Sequence, residues 1–75
     1  MILREAVERA REFLERYVGL SSSFLTLDEF ERKENKWIFI FEYGLFPPFK
    51  YYQVTVDDET REVISFKRIT KMQGR

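Results

Sequence analysis

Between residues 2 and 18, apolar side chains return every three or four positions: Leu3, Ala6, Val7, Ala10, Phe13, Leu14, Tyr17 and Val18. That spacing draws one stripe along a helix. The other side alternates in charge. Arg4–Glu8, Glu5–Arg9, Arg11–Glu15 and Glu12–Arg16 are opposite-charge pairs four residues apart, each contributing about 0.2–0.5 kcal/mol. Gly19 stands where a left-handed residue would end the helix, and Leu20 supplies the apolar contact that accompanies such an end. Ser21-Ser22-Ser23 then serves as a connector.

From residue 24 the period changes to two. Residues 24–33 read as an irregular strand, apolar at Phe24, Leu25 and Leu27, then charged around a lone Phe30. A bulge near Asp28 accounts for the change of phase, and the charge suits a sheet edge. Glu34-Asn35 is a tight connection in which Asn35 is able to adopt positive φ. Residues 36–43 carry Trp37, Phe39, Phe41 and Tyr43 on one face and Ile38, Ile40 and Glu42 on the other. Gly44-Leu45-Phe46-Pro47-Pro48 interrupts the pattern, since proline cannot donate to a ladder. Residues 49–57 alternate, with Tyr52, Val54 and Val56 opposite Phe49, Tyr51, Gln53, Thr55 and Asp57. A turn at 57–60 leads to a last strand over 62–69, whose apolar members are Val63 or Ile64, Phe66 and Ile69. Residues 70–75 are expected to fray. The predicted fold is α+β: one N-terminal helix packed on a four-stranded antiparallel meander, α-β-β-β-β, in a single domain over 1–75.

Composition narrows what such a domain can do. A chain of 75 residues buries only about 60% of its unfolded surface. It has no cysteine and no histidine. Disulfides, thiolate metal sites, cysteine nucleophiles and imidazole bases are therefore excluded. Aromatic residues, at 17%, are the available compensation, each able to bury about 150–250 Å². Thirteen basic and thirteen acidic residues cancel, so no global field steers the chain toward nucleic acid or an anionic membrane. Charged residues at 35%, with Asn35, Gln53 and Gln73 the only side-chain amides, resemble a thermophile's composition. No apolar core of a signal peptide follows Met1, and no apolar run reaches the roughly 20 residues of a membrane span. A soluble, cytoplasmic protein is expected.

The helix-then-meander order is similar to the PepSY-like and cystatin-like arrangements. Val56-Asp57-Asp58-Glu59-Thr60-Arg61-Glu62-Val63 resembles the V-D-x-x-T-G-x-V hairpin with which PepSY modules often end, with Arg61 standing where that family favours glycine. The resemblance implies the same small α+β fold and, for the family, extracytoplasmic modules associated with peptidase inhibition or binding.

Candidate chemistry is sparse. Asp57, Asp58 and Glu59 could offer oxygen ligands to a hard cation, but a solvated turn capped by its own aspartates is the favoured reading. Glu42 is expected to pair with Lys50 or Arg61. Ser21, Ser22 and Ser23 have no base, and the glycines are scattered, so neither catalysis nor a cofactor is expected. Residues 36–43 resemble an RNA-recognition strand only superficially, because Ile38 and Ile40 occupy the positions that need aromatics. A nucleic-acid alternative rests instead on Lys67, Arg68, Lys71 and Arg75.

The strongest signal is the segment 36–52, which holds eight of the thirteen aromatic residues and is apolar on both faces over 37–41. A helix over 2–18 spans about 25 Å and can cover one side of the sheet. The exposed side needs the 45–49 loop, a different partner or a second copy of the chain, and a homodimer is favoured. Trp37, Phe39, Phe41, Phe46 and Tyr51 are the expected partner-binding residues, with another protein or peptide as the other kind of partner.

Overall fold

The computed structural model describes residues 2–70. The N-terminal stripe folds as α1 (Leu3–Phe13) and continues as a wider π-helical stretch over Leu14–Val18. Ala6, Ala10 and Leu14, spaced by four, are fully buried. Gly19 closes the helix at φ 87°. The Leu20 amide donates to the Leu14 carbonyl at 3.1 Å, six residues back, as the widened turn requires. That widening changes one expectation. Tyr17 leaves the buried stripe and is 77% exposed, its ring resting 5.3 Å from that of Phe13.

After a 3₁₀ turn at Ser22–Phe24, four strands follow: β1 (Leu25–Lys33), β2 (Lys36–Tyr43), β3 (Lys50–Asp57) and β4 (Val63–Ile69). They pair in the order β1-β2-β3-β4, each antiparallel to the next. This is the predicted α+β meander. The bulge expected near Asp28 is present as a register slip between Leu27 and Glu29. A second slip lies beside Val56, where β3 meets β4. At the β1–β2 turn, Glu34 takes the positive φ, 56°, in place of Asn35. The Asn35 carbonyl instead accepts the Asp58 amide at 2.7 Å, tying the two turns at that end of the sheet.

The helix decides which side of the sheet is inner. Trp37, Phe39 and Phe41 of β2 lie under it with Tyr52, Val54 and Val56 of β3 and Leu25 of β1. Three large aromatics remove far more apolar area from water than two isoleucines would, so the sheet turns its aromatic side inward. This corrects the expected partner surface: Trp37, Phe39 and Phe41 are core residues, at most 8% exposed, and do not lie on a face open to a partner. The shortest dimension of the fold, 18 Å, accommodates one helix layer and one sheet layer. Among the described residues, no helix is long and apolar enough to cross a membrane.

Candidate interaction face

Strand register fixes the outer face, away from α1. One row across the sheet reads Glu31, Ile38, Thr55 and Ser65. The next reads Glu29, Ile40, Gln53 and Lys67, and a third Thr26, Glu42, Tyr51 and Ile69. Lys33, Lys36 and Asp57 complete the end near the tight turns. Thr55 is buried by its neighbours, and Ile38, Ile40, Tyr51 and Ile69 are half-buried. Glu29, Glu31, Ile38 and Ile40 line a shallow hollow of about 300 Å³ with the adjacent Phe30. The face is therefore an aliphatic strip with Glu29 and Glu31, followed by Lys33, along the β1 side and Lys67 on β4.

The β2–β3 connection bounds this face at the opposite end. Gly44 takes φ 137°, a conformation side chains rarely adopt. Leu45 and Phe46 project outward, Phe46 at 74% exposure. Pro47, Pro48 and Phe49 enclose a cleft of about 750 Å³ with Glu42, Tyr51 and Ile69 of the outer face and with Lys50 and Arg68. The loop thus leans to the outer side. It lies beside the third row, and Ile38 and Ile40 are half-buried farther along the face.

Of the five residues expected to bind a partner, the fold brings Tyr51 to the outer face and Phe46 to its rim, and sends Trp37, Phe39 and Phe41 to the core. Ile38, Ile40 and Ile69 take their place. The sequence signalled Ile38 and Ile40, since 37–41 is apolar on both faces, but strand alternation alone does not say which parity meets the helix. Lys67 and Arg68 fall on opposite sides of the sheet, Lys67 in register with Gln53 and Arg68 with Tyr52. Lys71 and Arg75 lie outside the described residues.

The acidic turn is occupied by protein donors. Asp57 Oδ2 accepts from the Thr60 hydroxyl at 3.0 Å and from its amide at 3.4 Å. Asp58 Oδ1 accepts the Trp37 indole N–H at 3.1 Å, and its Oδ2 accepts from Arg32 at 3.1 Å. The Arg32 guanidinium also lies 5.2 Å from the Trp37 ring centre. The indole hydrogen bond, with Arg32 beside it, holds the Asp58 carboxyl below its ordinary value of 3.8, outweighing the upward effect of burial. This constellation fastens β1 and β2 to the β3–β4 turn. Arg61, at φ 66°, reaches Glu5 of α1 at 3.4 Å, so it serves the helix and not Glu42. Among the described residues, no group of acids is arranged to hold a metal ion.

On the helix side, rings continue from Tyr17 through Phe13 and Phe66 to Tyr52. Arg9, Arg16 and Arg61 flank a cleft there, with Arg16 paired to Glu12 and Arg61 to Glu5. No protein-family model, curated protein or solved structure matches the chain.

Proposed function

We propose that the protein is a small interaction or assembly module that associates with a second copy of itself through the outer face of its sheet. One observation carries this: Ile38 and Ile40 sit at the centre of a sheet side whose opposite side alone is covered by α1. An aliphatic sheet face of this kind is dried by another sheet packed about 10 Å away. The face is about 19 Å wide and 26 Å long from strand spacing and rise. Two such faces, if packed over their whole area, would bury about 1,000 Å², at the lower edge of specific interfaces. An interface of that size fits a weak, reversible dimer. The chain offers neither histidine nor cysteine for catalysis, which favours binding over chemistry as its role. Sedimentation of the native protein and of an Ile38→Lys, Ile40→Lys double variant tests the proposal. The native chain should dimerise with rising concentration, while the variant stays folded and monomeric. Equal self-association of the two would remove the face from consideration.

A further inference from the structure

The outer face is not symmetric in charge, and that asymmetry selects how two copies would meet. Glu29 and Glu31 line the β1 side, and Lys67 lies in the Glu29 row on β4, about 14 Å away across three strand spacings. At the turn end, Lys36 of β2 is in register with Asp57 of β3. Two closed, two-fold arrangements stack the sheets with their strands aligned. If the axis runs across the strands, β1 lies over the partner's β1. With that axis centred between the Ile38 and Ile40 rows, Glu29 faces the partner's Glu31, twice, so like charges are driven together, while Lys33 falls over the partner's Thr26. If the axis runs along the strands, between β2 and β3, then β1 lies over the partner's β4. Glu29 then faces the partner's Lys67, and Lys36 faces the partner's Asp57, each twice.

The β2–β3 loop makes the same choice independently. It joins the two central strands, so an axis along them brings the two loops together at one end of the dimer. Leu45 and Phe46, both largely exposed, then cover each other. An axis across the strands would leave both loops in water at opposite ends.

We infer that two copies stack outer face on outer face about a two-fold axis along the strands, with the partner's Lys67 seated in the Glu29–Glu31–Ile38–Ile40 hollow. The arrangement rests on the self-association proposed above. The hollow suits a lysine: two isoleucines receive its aliphatic stem, and two carboxylates flank its ammonium. Charge matching of this kind sets orientation more than affinity, which fits an interface of modest area.

The absence of cysteine permits a clean test. A Phe46→Cys variant carrying a nitroxide label reports the distance between the two loops in the dimer by pulsed electron resonance. The inferred axis predicts a separation of about 20 Å or less. The crossed axis, with loops beyond opposite ends of a sheet about 26 Å long, predicts more than about 30 Å. In parallel, Lys67→Glu and Glu29→Lys should each raise the dimer Kd about tenfold, and the two together should restore it. Circular dichroism of each variant confirms that it is folded. A dimer with the long distance and no rescue overturns the axis while leaving self-association standing. A protein monomeric at all concentrations overturns both.

Discussion

Exchanging neighbouring residues on β2 separates the two faces of the sheet. Phe39 has no solvent exposure and lies at the centre of the core, while Ile40, one residue on, is half-buried on the outer side. Deleting a buried phenylalanine to alanine costs about 3–5 kcal/mol. A 75-residue domain has only about 4–11 kcal/mol of stability at the usual amount per residue, so that change could leave no folded protein to measure. Phe39→Leu is gentler, at about 1–2 kcal/mol once part of the cavity remains unfilled. For a domain of this size each kcal/mol moves Tm by about 4–8 °C, giving a fall of roughly 4–16 °C. Ile40→Val removes one methyl from a half-exposed site, so its cost lies below the 0.5–1.5 kcal/mol of a buried Ile→Val, with a shift of about 3 °C or less. Thermal unfolding by circular dichroism at about 1 µM, low enough that weak self-association would not contribute, reads both. Equal shifts, or a larger one for Ile40→Val, would refute the assignment of the inner face.

Further outcomes follow from the same geometry. Gly19→Ala should cost about 1–2 kcal/mol, because Gly19 holds φ 87° and an added Cβ meets nothing within 4 Å; an unchanged urea midpoint would mean that this conformation carries no strain. Asp58 has its folded pKa held below 3.8, so its contribution to stability is complete above the unfolded pKa and is lost as pH falls through the lower folded value. The native protein should therefore lose more stability than Asp58→Asn between about pH 4 and pH 2, read by urea unfolding with Trp37 fluorescence; identical slopes would rule out the indole–carboxylate fastening. Single-stranded oligonucleotide at low salt should give no binding, since Lys67 and Arg68 face opposite ways; a steep salt-dependent affinity would instead favour a nucleic-acid role.

Much of the fold was legible because two periods, 3.6 and 2, divide the chain cleanly at Ser21–Ser23. The charged, phase-shifted stretch around Asp28 announced its bulge, and Gly19 its helix end. Tyr17 could not be placed from its spacing, because a π-helical turn moves later residues off the stripe without altering the sequence pattern. The face of the candidate site was ambiguous for a related reason. Residues 37–41 are apolar on both sides, and parity alone leaves Phe39 and Ile40 as equal candidates for the core. Only the bulk that one helix can bury distinguishes them. The role of Asp58 was hidden altogether, since its partners Arg32 and Trp37 are brought beside it by the meeting of two distant turns.

Sedimentation equilibrium of the full chain at physiological salt, from about 1 µM to several hundred micromolar, addresses the proposed association through the outer face most directly. The expected result is a mass that rises with concentration from 9.2 kDa toward twice that value, and a rise that disappears when Ile38 and Ile40 are both replaced by lysine. A mass of 9.2 kDa at every concentration would contradict it.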